Sequence, residues 1–292
     1  MKQILLLSGL ILSSIFCASA QSRVFVVLDM LDSVYRVNRY TLNTEELYGV
    51  NHHIEMYNVW LSNELVLFSV LPDFSQSGHW EKVDTSKLEG RILSKKDFNR
   101  DMRDRYLIDG SEKKSMGYAL IKQVGDDFYA SKNCLLEYFN IRSYPPELHT
   151  PYGTINTGQS KMTIKEMAAL YKRYYSDIPF PLDIKQQPAM SDQLLLKREY
   201  LSKELEVNGE KAYQFWTFID WSVSDGRNVQ RGIDRFIYIP GKGIVGGSYD
   251  FYFAFRAKLD FTPMENRYTI SKEQWMQNIL DEKVMLAEEL KQ

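Results

Sequence analysis

Cysteine is scarce in this sequence: Cys17 and Cys134 are the only two among its 292 residues. If the leader described below is removed, a single thiol remains, and it cannot form an internal disulfide. We therefore expect the fold to be held by its hydrophobic core, which a chain of this length can supply. Cys134 lies in an apolar segment, residues 133–139, and this setting predicts a buried, unreactive thiol.

Long apolar runs are also lacking. The longest, residues 4–16, follows Lys2 and ends before small residues at 18–20, and it is too short to cross a bilayer core of about 30 Å. This layout is typical of a secretory signal peptide, so we expect cleavage after residue 20 and a periplasmic or extracellular protein with no transmembrane span. A lipoprotein signal has a small residue before its cysteine. Phe16 stands there instead, so we expect no lipid anchor on Cys17.

Neither sign of charge is in excess, since 36 basic residues stand against 38 acidic ones. Phosphate recognition needs a clustered basic surface, so we expect no nucleic-acid partner. The only glycine motif is G-x-G-x-x-G at residues 241–246. A dinucleotide site needs that motif between a strand and a helix, but here it lies between two predicted strands. It therefore predicts a hairpin turn, and we expect no cofactor.

Aromatic residues are plentiful, with 19 Tyr, 15 Phe and 5 Trp. Because aromatic and β-branched side chains favour strands, the first interpretation is a sheet-rich core. The alternative is an aromatic surface that binds sugars or a partner protein.

The pattern of turns and apolar residues predicts an α+β fold that is mainly antiparallel sheet. Residues 21–140 have the pattern of strands broken by polar turns, with one helix near residues 98–106. The predicted strands include one over residues 24–31 and a hairpin formed by residues 57–61 and 65–71. Residues 141–160 hold three of the nine prolines and show no periodicity, which predicts a linker or long loop between two domains.

Residues 161–292 predict a domain of helix, four-stranded meander and long C-terminal helix. A capping box at residues 163–166 begins the first helix. Turn signals at Asn208-Gly209, Asp225-Gly226 and Pro240-Gly241 separate the four strands, the last of which is predicted over residues 244–255. Ser271 is predicted to cap the final helix, which we expect to extend to about residue 290.

Chemistry-bearing residues are few. His52, His53 and His79 could bind a metal, but adjacent residues of a strand face opposite ways, so we expect no metal site. His149 and Ser160 share the predicted loop, where functional residues are often found. No G-x-S-x-G motif exposes a serine for nucleophilic catalysis, and the catalytic residues stay unknown.

The most suggestive arrangement is polar. Two-residue hairpin loops would place Asp220, Arg231, Arg235, Asp250 and Tyr252 on one face of the meander. That face could be a ligand or partner surface with paired carboxylates. It could equally be a row of cross-strand ion pairs exposed to solvent.

Three functions follow as hypotheses. The first is an exported, non-enzymatic binding protein that presents a sheet surface to a protein partner, as an inhibitor or immunity protein does. The second is a module that binds a glycan or small ligand in an aromatic-lined cup. The third is an exported hydrolase with scattered residues. A flat apolar patch, a cavity with convergent polar groups, or a cleft holding His149 or a carboxylate pair would distinguish them.

Overall fold

The computed structural model describes residues 23–74, 78–107, 113–148, 150–174, 176, 180, 198–218, 232–254 and 267–291. In these ranges the chain forms six α-helices and three sheets that are mostly antiparallel, which confirms the α+β fold class. Among the described residues, no helix combines the length and the apolar content that crossing a membrane requires.

The described residues contain fifteen strands and six α-helices. The strands are β1 (Val24–Val27), β2 (Arg36–Asn43), β3 (His53–Leu61), β4 (Glu64–Val70), β5 (Trp80–Val83), β6 (Lys114–Ser115), β7 (Tyr118–Val124), β8 (Asp127–Ser131), β9 (Cys134–Arg142), β10 (Thr154–Asn156), β11 (Arg198–Val207), β12 (Glu210–Phe218), β13 (Arg235–Ile239), β14 (Gly243–Ser248) and β15 (Met285–Leu286). The helices are α1 (Leu28–Val34), α2 (Glu45–Tyr48), α3 (Lys95–Leu107), α4 (Ile164–Tyr174), α5 (Asp250–Ala254) and α6 (Lys272–Leu280).

Three sheets organise these strands. The outer sheet has the order β1–β7–β8–β5, and β1 runs parallel to β7. The central sheet has the order β10–β9–β4–β3–β2, with β6 also paired to β9 and with β10 parallel to β9. The C-terminal sheet has the order β11–β12–β13–β14–β15, and all its pairs are antiparallel.

The central sheet is covered on both faces. Strand β4 shows why, because its side chains alternate between two apolar clusters. Leu65 and Leu67 pack in a cluster shared with the C-terminal sheet. Val66 and Phe68 pack in a second cluster with Phe98 of α3 and the outer sheet. A strand that is apolar on both faces is therefore an interior strand here.

Predictions for the first half are mostly confirmed. The β3–β4 hairpin turns at Ser62 and Asn63, where Ser62 has a φ of 61°. Helix α3 buries Phe98 and Met102, four residues apart, as predicted. The strand predicted over residues 24–31 is confirmed for residues 24–27 and wrong beyond them, since β1 ends at Val27 and α1 follows. The two buried leucines of α1 are three positions apart, which is helical spacing that a short apolar run does not reveal.

Residues 141–160, predicted as a linker or long loop, include β10 and several buried side chains, among them Tyr152, Ile155 and Asn156. Ile155 lies in the same apolar cluster as residues of both halves, such as Leu67 and Phe215. The domain boundary itself stays a prediction.

The meander is confirmed for strands β11 to β14, with turns at Asn208-Gly209 and at Gly241, whose φ is 78°. The turn predicted at Asp225-Gly226 lies outside the described residues. The glycine motif forms a hairpin turn between β13 and β14, as predicted.

The long C-terminal helix is not found. Ser271 caps α6 by accepting the Gln274 N–H at 3.1 Å, but the helix ends at Leu280. The chain reverses at Glu282, which has a φ of 55°. The buried Glu282 carboxylate accepts the Ile164 N–H at 2.6 Å, at the start of α4, and this bond favours the reversal over further helix. Strand β15 then returns to the C-terminal sheet.

Candidate functional site

Arg235, Asp250 and Tyr252, three of the five residues predicted to form the polar face, lie in the described part of the chain. Asp220 and Arg231 lie outside it. Arg235 is on β13 opposite Ser248. The strand predicted over residues 244–255 ends at Ser248, so Asp250 and Tyr252 lie on α5 rather than on a strand.

The structure brings Arg235 and Asp250 together as a buried ion pair. Arg235 Nη1 donates to Asp250 Oδ2, and Nη2 donates to Oδ1 at 3.3 Å. Both residues are 2% exposed. Tyr48 Oη donates to Asp250 Oδ1 at 3.1 Å, and Arg235 Nε donates to the Lys283 carbonyl at 3.0 Å. Burial opposes the guanidinium charge, but the Asp250 carboxylate outweighs it and raises the pKa of Arg235.

Tyr252 is also buried, and its hydroxyl donates to the Pro72 carbonyl at 2.5 Å. The three described members therefore bind other parts of the fold and are not exposed to solvent. The role of the five residues as a contact surface for a ligand or partner stays a prediction.

A second buried charged cluster was not predicted from the sequence. Lys114 Nζ lies 3.1 Å from Glu137 Oε1, and Glu137 accepts the Ile233 N–H at 3.0 Å. Nearby, Glu199 Oε2 accepts the backbone N–H groups at the start of β10 at 2.8 and 3.0 Å. Burial raises the pKa of Glu199. Because these groups are completely enclosed, we assign them a role in joining the central and C-terminal sheets.

An open cleft of about 650 Å³ lies at the surface where the central and C-terminal sheets meet. We call it the Arg142 cleft. Three segments form most of its wall: the β3–β4 turn, the end of β9 with the residues that follow, and the end of β13. Its lining residues are Ser62, Asn63, Glu64, Ile141, Arg142, Ser143, Tyr144, Thr157, Tyr238 and Pro240.

Arg142 provides the positive charge of the cleft. Its Nε donates to Tyr144 Oη at 3.2 Å, and its Nη1 donates to the Ile141 carbonyl at 2.9 Å. Burial opposes the charge, but hydrogen bonds to Tyr144 and Tyr106 raise the pKa of Arg142. No carboxylate of the described residues lies within ion-pair distance of its guanidinium, although Glu64 lines the same cleft.

Buried Asn156 holds one wall of the cleft in place. Its Oδ1 accepts the N–H groups of Tyr144 at 2.7 Å and Gly158 at 3.1 Å, while its Nδ2 donates to Thr150 Oγ1 at 3.0 Å. Gly158 packs so closely that a Cβ there would lie 2.4 Å from the Tyr144 carbonyl oxygen. The wall is thus preorganised, because its polar backbone groups already have partners.

Aromatic rings line and flank the cleft. Tyr238 is almost fully buried, and burial raises its pKa to about 12 even though Arg36 lowers it. Arg36 is exposed and stacks over the Trp60 ring at 4.5 Å from the ring centroid. A second guanidinium therefore lies close to the Tyr238 side of the cleft.

The histidines and the cysteine lie elsewhere. The His52 ring packs edge-on against Phe74, and burial lowers the pKa values of His52 and His79. His149 lies outside the described residues. In the described ranges, no group of three or more His, Cys, Asp or Glu residues could hold a metal ion. Cys134 is buried with a free thiol, as predicted.

No sequence signal identified the cleft, since its residues come from segments as distant as Ser62 and Pro240. Comparison of the chain with protein-family models, with curated proteins and with solved structures finds no match.

Proposed function

We propose that this chain is an exported, non-enzymatic binding protein and that its contact site is the Arg142 cleft. One observation carries the proposal: a preorganised cleft in which a guanidinium, a carboxylate, amide and hydroxyl groups converge beside two tyrosines. Ligand sites commonly have volumes of about 300–1,000 Å³ and a few convergent polar groups, and the cleft has both. The geometry favours the glycan or small-ligand hypothesis.

A protein partner is the second candidate. Both faces of the central sheet are covered, so the face of that sheet is not open to a partner, whereas the rim of the cleft is. Tyr106 and Leu107 are 43% and 75% exposed, and Tyr106 hydrogen-bonds to Arg142. Tyrosine and arginine are enriched at interfaces, so the exposed Tyr106 ring beside Arg142, followed by exposed Leu107, would suit a protein contact.

The hydrolase hypothesis gains the least support. Its expected sign was a cleft holding His149 or a carboxylate pair with shifted pKa values. His149 lies outside the described residues, and Glu64 is the only carboxylate among the described residues that line the cleft.

Site-specific cross-linking tests the proposal. A photoreactive residue replaces exposed Ser143 in the tagged full chain, expressed in its native cell envelope. A matched variant carries it at exposed Lys203 on β11, away from the cleft. We expect a cross-linked product of higher mass from position 143 only. Equal products from both positions, or none from 143, would contradict the assignment of the cleft.

Export has its own test, because residues 1–20 lie outside the described residues. N-terminal sequencing of the protein recovered from the envelope should begin at Gln21. Recovery of an uncleaved chain from the cytoplasm would oppose the proposal.

A further inference from the structure

The charge of Arg142, which no carboxylate of the described residues pairs, indicates what kind of ligand the cleft takes. Building on the proposed binding function, we infer that the Arg142 cleft binds a saccharide unit that carries a carboxylate, as a uronic acid does. Three features of the cleft support it: a guanidinium with N–H donors that no described residue occupies, side chains around it that can hydrogen-bond to hydroxyl groups, and an aromatic ring in the wall.

The guanidinium is the first feature. Arginine has five N–H donors. In Arg142 two of them are directed to Tyr144 and to the Ile141 carbonyl, and Tyr106 is a further partner. These neutral partners fix the orientation of the guanidinium but leave its charge unmatched among the described residues. Three of the five donors thus have partners, and a planar carboxylate can accept hydrogen bonds from the two that remain.

The surrounding groups are the second feature. Ser62 and Asn63 on one wall, and Ser143 and Thr157 on the other, can each donate and accept hydrogen bonds. Glu64 can accept from hydroxyl groups. A sugar ring presents several hydroxyls that also donate and accept, so this mixture suits it better than it suits an apolar ligand.

Aromatic packing is the third feature. Tyr144 is half-buried in the wall, and its hydroxyl is held by Arg142, so its ring is fixed relative to the guanidinium. One face of a sugar ring consists of C–H groups that pack well on an aromatic face. A single saccharide unit could therefore contact Tyr144 with its ring while its carboxylate reaches Arg142.

Calorimetric titration of the full mature chain tests the inference with three probes: trigalacturonic acid, the neutral galactotriose, and a triglutamate peptide. We expect trigalacturonic acid to bind at least about tenfold more tightly than the other two, because only it offers both the carboxylate and the sugar ring. Its affinity should fall as salt is raised, since salt screens the partly exposed guanidinium.

Variants connect binding to the cleft. Arg142→Gln should weaken trigalacturonic acid binding by about tenfold or more, and Arg142→Lys should restore only part of it because lysine lacks the planar fork. The control Arg173→Gln, which changes an exposed arginine at the end of α4, should bind as the wild type does. If Arg142→Gln fails to fold, Ser143→Trp at an exposed position blocks the cleft without removing a buried group.

The outcomes separate this inference from the proposed function. If galactotriose binds as tightly as trigalacturonic acid, the cleft does not recognise the carboxylate of its ligand. If triglutamate binds as tightly, the cleft does not recognise the sugar ring. If no probe binds but position 143 still cross-links a product, the saccharide inference fails and the binding function stands. If neither occurs, both fail.

Discussion

The ion pair between Arg235 and Asp250 provides the sharpest test of how this fold is held together. We expect Asp250→Asn to lower the free energy of unfolding by about 3 kcal/mol, near the lower end of the range for breaking a buried pair. Asparagine keeps the size of the side chain and can still accept from Tyr48. What is lost is the negative charge beside a guanidinium that is 2% exposed.

A graded series follows from the contacts of the pair. Asp250→Ala also leaves the Tyr48 hydroxyl without its acceptor, so we expect a loss nearer 5 kcal/mol. The double variant Arg235→Met with Asp250→Leu removes both charges of the pair. Its loss should therefore be clearly smaller than the sum of the losses caused by Arg235→Met alone and Asp250→Leu alone.

Urea unfolding measures these free energies, and the total for a domain is commonly about 5–15 kcal/mol. The control is Asp127→Asn, which removes the exposed partner of Lys82, 2.7 Å away. We expect that exposed pair to contribute little, because water and salt screen it. A loss below about 1 kcal/mol for Asp250→Asn would refute the reasoning, since the buried guanidinium would then not depend on its partner.

Three further expectations concern single residues. Burial raises the pKa of Glu199 above 4.5, so this group stabilises the folded state at low pH and loses that contribution as the pH rises through its folded-state pKa. The difference in unfolding free energy between wild type and Glu199→Gln should therefore change with pH above 4.5, and a difference independent of pH would contradict this. Gly158→Ala should destabilise the fold by about 1–3 kcal/mol and weaken binding in the Arg142 cleft, because its Cβ would clash with the Tyr144 carbonyl. In the control Gly117→Ala, the Cβ would lie 3.2 Å from a side-chain oxygen, so urea unfolding should show a smaller loss of stability. Burial raises the pKa of Cys134 to about 12, so a thiol reagent should label it only after unfolding, and rapid labelling of the native protein would count against the buried position.

Local patterns predicted much of the secondary structure because their causes are local. The capping box is an example: Glu166 Oε2 accepts the Thr163 N–H at 2.8 Å, and Thr163 Oγ1 accepts the Glu166 N–H at 3.1 Å. The Asn208-Gly209 turn is another, since both residues adopt positive φ values of 50° and 80°. Such features depend on a few neighbouring residues, so the sequence contains the information that determines them.

The C-terminal helix shows where local reasoning fails. Residues after Leu280 still carry apolar side chains at helical spacing, but Glu282 finds a better partner at the N-terminus of α4, more than a hundred positions away in the chain. Helix propensity is worth only tenths of a kcal/mol per residue, so a tertiary hydrogen bond to a carboxylate outweighs it. Without the fold, this competition is invisible.

The polar face shows a different limit. The alternation of side chains along two hairpins predicted that Arg235 and Asp250 lie on one face of the sheet. The structure does pair them, but Asp250 lies at the start of helix α5 and not on a strand. Whether such a pair is exposed depends on what covers the sheet, and alternation carries no information on that. The same limit applies to the Arg142 cleft, whose walls come from three separate segments.

The two halves of the chain are joined by polar contacts as well as by apolar packing. Asn58 of β3 exchanges two hydrogen bonds with the backbone of Ile244, at 2.7 and 2.9 Å, so its amide acts as a peptide group would in a sheet. Ser69 and Tyr249 share a buried hydroxyl contact of 2.7 Å. Each group would lose a partner, at about 1–3 kcal/mol, if the halves separated. Composition marks residues 141–160 as proline-rich, but it cannot register contacts made by residues far from that segment. The Arg142 cleft depends on this joining, because Tyr238 enters its wall from the second half.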